Sequence, residues 1–243
     1  MSLNIEHATL LNKKPAHYRW WVAGLFFLIY TIAAADRANL GVALPFIRQQ
    51  YHMTNAEAGA LVSLFLIAYA LIQIPSAWLI TRYGVRKVFT TSMVFTSIAT
   101  ALTGFSGSVL QLKLCRVLLG IAEGPLPIGV STTINNWFPS KEKGTASGIF
   151  LSSIKLGPVL TPIIGAAIIL HWGWQEVFIF FALPGLILPI IWNLFVADKP
   201  AASRFVNRRE LDVINEAAAT AAASGGQARY VKIPWLDALI RLK

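Results

Sequence analysis

Six stretches of about 20 or more mostly apolar residues run through the 243-residue chain: Trp20 to Ile47, Ala58 to Ile80, Val88 to Leu110, Leu112 to Ile134, Thr145 to Leu170 and Val177 to Ala197. Segments of this length cross the hydrocarbon core of a bilayer. With no water there to bond exposed backbone groups, each has to be a helix. The sequence therefore predicts an all-α polytopic membrane protein: a six-transmembrane-helix bundle over 20–197, a cytoplasmic N-terminal segment over 1–19, and a cytoplasmic linker or tail over 198–243. Composition agrees, since only 13% of residues are charged and mean hydropathy is +0.59, whereas soluble domains carry about 25% charged residues.

The formal net charge of +10 raises the question of a nucleic-acid partner, and the placement of Lys and Arg answers it. Lys13, Lys14 and Arg19 precede the first span, Arg82, Arg86 and Lys87 follow the second, Lys141 and Lys143 follow the fourth, and eight more lie between Lys199 and Lys243. The alternate loops hold Arg48 and Lys113. This is the positive-inside pattern of an inner-membrane protein with both termini in the cytoplasm, so basicity reports topology and no nucleic acid is expected. Cleavage of a signal peptide at Ala33-Ala34-Ala35 is the competing reading of the first span, and it breaks the alternation by removing the first basic loop. Cys115, the single cysteine, reads as a small buried apolar residue.

Short loops predict antiparallel packing of sequence neighbours. Gly120-x-x-x-Gly124 and Gly144-x-x-x-Gly148 are candidate close-approach stripes. Gly157-Pro158 and Pro162 are expected to interrupt the fifth span near Ser152, Ser153 and Lys155. Tyr18, Trp20, Trp21, Trp137, Trp172 and Trp174 are expected at the headgroup level. The segment "ELDVINEAAATAAASGGQ" reads as a partial helix followed by a Gly-Gly joint, and the closing "YVKIPWLDALIRLK" as an amphipathic approach to the membrane.

Five ionisable residues fall inside the spans: Asp36 and Arg37 in the first, Arg116 and Glu123 in the fourth, and Lys155 in the fifth. At bilayer depth each costs at least about 2.5–3.5 kcal/mol, so each needs a partner, water or a function. Adjacent helical residues point about 100° apart, so Asp36 and Arg37 are expected to face different neighbours. Arg116 and Glu123 lie two turns apart, roughly 10 Å, which is too far for a direct ion pair. Three bases against two acids leave a positive surplus that suits an anion, which an Arg fork clamps well. Either acid is a candidate proton carrier. Both acids and two of the three bases sit in the first span of each three-helix half, as an inverted 3+3 repeat with a central site requires. All four His residues fall outside the spans, and no metal-ligand spacing, catalytic constellation or phosphate loop is present.

These residues resemble the N-terminal half of the major facilitator superfamily, and most closely its anion:cation symporters. Four stretches carry the resemblance: "ADRANLGVALPFI", "YALIQIPSAWLITRYGVRKV", "RVLLGIAEGPLPIG" and "WFPSKEKGTASGIF". The resemblance implies proton-driven symport of a small organic anion, a sugar acid such as a hexonate, hexarate or hexuronate, with the proton gradient in place of any cofactor. It implies Arg37 as carboxylate ligand, with Tyr69, Asn39, Lys155, Ser152 and Ser153 as candidate binding residues. Asp36 and Glu123 are implied as protonation sites with Arg116 beside them, and Arg82, Gly84, Arg86 and Lys87 as the gating loop. In that loop Thr81 and Ala77 stand where the family has an acid and a glycine, which weakens the expected latch between halves. Lys155 falls outside the family pattern and is open to either a second substrate carboxylate or Glu123. The family has twelve spans, so this chain is expected to be one half, pairing with a second half or a second copy. The competing expectation is a truncated product or a membrane subunit that binds or regulates without transporting.

Overall fold

The computed structural model describes residues 17–223. Lys13, Lys14, the Gly-Gly joint and the closing "YVKIPWLDALIRLK" lie outside the described residues. Within them the chain forms α1 (Tyr18–Gln50), α2 (Asn55–Tyr83), α3 (Val85–Gly104), α4 (Val109–Glu123), α5 (Pro125–Trp137), α6 (Lys143–Trp172), α7 (Trp174–Phe195), a 3-10 turn (Pro200–Ala202) and α8 (Arg208–Ala223).

Local chemistry sets the ends. Thr54 and Glu57 form a reciprocal capping box on α2, with the Thr54 hydroxyl accepting from the Glu57 N–H at 3.2 Å and the Glu57 carboxylate accepting from the Thr54 N–H at 3.0 Å. Ser108 caps α4 by accepting from the Gln111 N–H at 3.2 Å. That turn ends the third span at Gly104, so Leu110, expected to close it, belongs to the fourth. α4 and α5 form one 29-residue crossing, Val109–Trp137, interrupted at Gly124. Among the described residues, five crossings are long and apolar enough to span a membrane. α3 has the length, 20 residues, but seven Ser and Thr residues together with Arg86 and Lys87 make it the least apolar of the six expected spans.

The packing has an internal symmetry. Counting α4–α5 as the fourth span, the main pairings are span one with five, two with four, three with six, one with six, and three with four. Shifting every span by three exchanges the first two pairings, maps the third onto itself and exchanges the last two. Spans three apart run in opposite directions, so the repeat is inverted. The two acids inside the spans, Asp36 and Glu123, stand close to the midpoints of symmetry-related spans one and four.

Gly120 and Gly124 are the closest approach of α4 to α2. A Cβ on Gly120 would stand 2.5 Å from the Phe65 carbonyl oxygen, and one on Gly124 1.9 Å from Ile72 Cγ2. Gly144 and Gly148 have nothing within 4 Å, so the second expected stripe is not a contact within this bundle. Gly124→Val is therefore expected to abolish a monodisperse folded species on size-exclusion chromatography. Gly148→Ala is expected to leave the melting temperature unchanged or slightly higher. Equal behaviour of the two variants contradicts this packing.

One further expectation is corrected. The fifth span is not interrupted: α6 runs unbroken from Lys143 to Trp172 through Pro158 and Pro162. Gly157 instead lets α6 touch α1, because a Cβ there would stand 2.5 Å from the Thr31 carbonyl and 2.9 Å from the Ala34 methyl. The aromatics at the helix ends differ in their surroundings. Trp137 and Trp174 are buried in protein, their indole N–H groups donating to the Ala197 carbonyl at 3.2 Å and the Gln50 side chain at 2.7 Å. Trp21 and Trp172 are exposed. Ala33 to Ala35 lie mid-helix on the buried face of α1.

At the basic end of the bundle α8 packs back onto it. Arg19, itself buried, donates to both oxygens of Glu142, Nε at 2.7 Å and Nη2 at 3.0 Å. Its Nη1 and backbone N–H both reach one oxygen of the fully buried Glu210 on α8, at 3.1 and 3.0 Å.

Candidate functional site

Tyr30 and Arg37 are seven residues apart on α1, two turns, so they share a face. Arg37 leans across to α4, its Nε 2.5 Å from Glu123 Oε2, while its Nη2 donates to the Tyr30 hydroxyl at 3.0 Å. The guanidinium also lies over two rings, 5.4 Å from the centroid of Tyr30 and 5.2 Å from that of Tyr69 on α2, within cation–π range. Phe65 stacks on Tyr69 at 5.7 Å and holds the second ring. Three helices thus converge on one cation near mid-span. The Glu123 side chain is completely buried, whereas the Arg37 side chain is 25% exposed, so the pair is reached from the Arg37 side.

Glu123 stands just before a local weakening of its helix. Pro125 and Pro127 supply no N–H to the carbonyls four residues earlier, although Gly124 keeps helical dihedrals and donates to the Gly120 carbonyl at 3.2 Å. Gly120 and Gly124 bring this point against α2 beside Tyr69.

Asp36 faces elsewhere, as adjacency on a helix dictates. It is fully buried, and Asn39, one turn on, donates to its Oδ1 at 3.4 Å. Arg116, also buried, lies within electrostatic reach of both Asp36 and Glu123 and over the Phe178 ring of α7 at 5.7 Å. Arg116 makes no ion pair with Glu123, as the two-turn spacing implies. Among the described residues, Asp36 Oδ2, Asn39 Oδ1, Thr96 Oγ1, Thr100 Oγ1, Arg116 Nε and Nη2, and Glu123 Oε1 are buried without a hydrogen-bond partner. Such atoms are rare in folded proteins, and their concentration around two acids leaves donors and acceptors available at the centre of the bundle.

The remaining expected binding residues stand apart from this pair. The Ser153 hydroxyl is buried and donates to the Phe150 carbonyl at 2.5 Å, and that of Ser152 to the Gly148 carbonyl at 2.9 Å. Lys155 is exposed, makes no ion pair among the described residues, and shares with Ser152 and Phe27 a shallow groove of about 770 Å³. Pairing of Lys155 with Glu123 is corrected, since Arg37 holds that carboxylate.

The gating-loop residues divide into two groups. Gly84 adopts φ +86°, a region glycine enters freely, and a Cβ there would lie 2.7 Å from the Asp198 carboxylate. Asp198 accepts from the Arg86 N–H at 2.8 Å, placing an anion at the N-terminus of α3. The Arg86 side chain binds Asn193 at the end of α7, through its side-chain oxygen at 2.8 Å and through its carbonyl. Asp198 thus provides an acid at this turn where Thr81 does not, and joins it to the exit of α7 within the same bundle. Arg82 lies over Trp78 and Tyr83, and Lys87 is exposed.

Sequence reasoning missed Tyr30, Thr96, Thr100 and Phe178. The spacing of Tyr30 from Arg37 was a usable signal. Nothing in the sequence places Phe178 over Arg116. No group of three or more His, Cys, Asp or Glu side chains among the described residues is arranged to hold a metal ion.

An inverted helical repeat carrying an Arg–Glu pair between two rings at mid-span defines a polytopic inner-membrane protein with a central polar site. The chain belongs to the Major Facilitator Superfamily, whose family model matches residues 26–241. It is 35% identical over 202 residues to a probable sulfoacetate transporter of Cupriavidus necator, covering 83% of this chain and 47% of the relative. It is 31% identical over 237 residues to a probable galactarate/D-glucarate transporter of Escherichia coli strain K12, covering 91% of this chain and 53% of the relative. The chain thus spans about half the length of these curated relatives. Its fold matches that of the proton:xylose symporter XylE bound to 6-bromo-6-deoxy-D-glucose at a TM-score of 0.70, with 14% identity, covering 85% of this chain and 52% of that one.

Proposed function

We propose that this bundle is one half of a proton-coupled symporter of a small organic anion, a sugar acid in the first instance. The observation that carries the reading is the Arg37–Glu123 pair, with its guanidinium held between Tyr30 and Tyr69 and open on one side. Arg37 carries a fork suited to a carboxylate, and its Nε is already taken by an internal one, Glu123. Protonation of Glu123 removes that competitor's charge and frees the fork for the substrate. Loss of the proton restores the pair and expels the anion, so proton and anion travel together. The relatives' names point to acids, a sulfonated carboxylate in one and sugar diacids in the other, which suits a cationic clamp.

Asp36, with Asn39 and Arg116 around it, is proposed as the second protonation site. Lys155 and Ser152, on the exposed face of α6, are proposed to attract the far end of the anion, and Ser153 to shape the helix beneath them. The turn held by Gly84, Arg86 and Asp198 is proposed as the rigid base of the gate, with Arg82 left for contact with a facing half, whether a C-terminal half or a second copy. The basic loops support a topology, proposed here, with both termini in the cytoplasm. Residues 1–19 and 198–243 then flank the membrane domain of 20–197 on that side.

The test is the pH dependence of sugar-acid affinity for the purified protein. Wild type is expected to bind more weakly as pH rises, by about tenfold per pH unit once Glu123 has lost its proton. Glu123→Gln, which keeps shape without charge, is expected to bind well at every pH. Asp36→Asn is expected to keep the slope due to Glu123. A wild-type slope in Glu123→Gln contradicts the assignment.

A further inference from the structure

On the faces of α3 and α4 turned away from the central pair, beside the end of α2, lies a groove of about 640 Å³, bordered along α3 by Lys87, Val88, Thr91, Phe95, Ile98 and Leu102 and across it by Leu118, Ile121 and Pro125. Its polar atoms are confined or spent. The Ser92 hydroxyl bonds to the Ala122 carbonyl and the Thr91 hydroxyl to the Lys87 carbonyl at 2.8 Å, which leaves hydrocarbon along the body of the groove. Phe95, Ile98, Leu102, Leu118 and Ile121 are all exposed large apolar side chains.

The basic end is different. Tyr83 and Lys87 stand at that mouth, and Arg82 lies over the Tyr83 ring at 5.7 Å. Neither Lys87 nor Arg82 has an anionic partner among the described residues, whereas the guanidinium of their neighbour Arg86 is tied to Asn193 and its backbone N–H to Asp198. From Lys87 to Leu102 the helical rise is roughly 22 Å, more than half of a bilayer core of about 30 Å. That length fits an extended acyl chain and far exceeds a headgroup alone.

We propose that this groove is a binding site for an anionic glycerophospholipid, with one acyl chain laid along α3 and the phosphate at Lys87 and the Tyr83 hydroxyl. The Lys87 charge supplies selectivity for the headgroup, and the apolar floor, stepped where the fourth span is interrupted at Gly124-Pro125, supplies most of the contact area. The site is independent of the Arg37 clamp, since it uses another face of the bundle.

The experiment is native mass spectrometry of the detergent-purified chain titrated with palmitoyl-oleoyl phosphatidylglycerol, with phosphatidylcholine of the same chains, and with glycerol phosphate alone. The expected result is one phosphatidylglycerol retained at least about tenfold better than phosphatidylcholine, with no retention of glycerol phosphate. Lys87→Gln is expected to erase that preference while leaving phosphatidylcholine binding unchanged. Ile98→Trp, which fills the groove from an exposed position, is expected to lower retention of both lipids. Equal retention of the two lipids by wild type, binding of glycerol phosphate alone, or an unchanged preference in Lys87→Gln overturns the proposal. None of these outcomes bears on sugar-acid affinity.

Discussion

Arg37→Ala is expected to weaken sugar-acid binding by at least about 100-fold, to the point of being undetectable by calorimetry. Two charge-assisted hydrogen bonds of about 1.5–3 kcal/mol each are lost with the guanidinium. The same substitution strips Glu123 of its only ion-pair partner among the described residues, leaving a fully buried carboxylate opposite two tyrosine rings. Arg37→Lys separates the two contributions. It keeps a cation between Tyr30 and Tyr69 and loses the fork, so an intermediate affinity is expected. Wild-type affinity in Arg37→Lys means that charge alone is recognised, and wild-type affinity in Arg37→Ala refutes the clamp.

Arg19→Ala is the second large effect, and it falls on architecture. Arg19 is the shared partner of Glu142, in the turn before α6, and Glu210, on α8. Removing it leaves the fully buried Glu210 without its cation, a class of change that costs about 3–5 kcal/mol. The expected readouts are a melting temperature lower by on the order of 10 °C and protease sensitivity at the start of α8. Arg19→Met combined with Glu210→Leu removes both charges and is expected to recover much of the loss, because a packed apolar pair replaces a buried ion pair at little cost. A single variant as stable and as protease-resistant as wild type contradicts the docking of α8 through this cluster.

The spans were legible because an apolar run of about 20 residues has one physical solution in lipid. Their ends moved by a few residues where capping chemistry intervened, as at Thr54 and Ser108. Packing was much less legible. In a soluble helix the apolar stripe marks the core, but here lipid and core are both apolar, so Phe95 facing out and Phe89 facing in carry the same signal. The two glycine stripes looked alike for that reason, and only Gly120 and Gly124 meet another helix. Prolines misled in a related way. Pro158 and Pro162 sit inside an unbroken α6, whereas the interruption falls at Gly124-Pro125, one residue past the acid at the centre of the site.

At the site itself the charged residues announced themselves by their cost in a membrane, and helical geometry correctly kept Asp36 from closing on Arg37 and Arg116 from closing on Glu123. Partner choice was beyond sequence, because Arg37 and Glu123 are 86 positions apart and Lys155 was an equal claimant on charge. The inverted 3+3 repeat, expected from the recurrence of charges in spans one and four, is visible in the exchange of helix pairings.

The most direct measurement of the account is the number of protons taken up when the anion binds, obtained by calorimetric titration of galactarate and related sugar acids in buffers of different ionisation enthalpy. Wild type is expected to take up protons with the anion, and Glu123→Gln to bind it still while taking up one proton fewer. An equal proton count in the two proteins, or binding by wild type without proton uptake, contradicts the claim that Glu123 yields Arg37 to the substrate by accepting a proton.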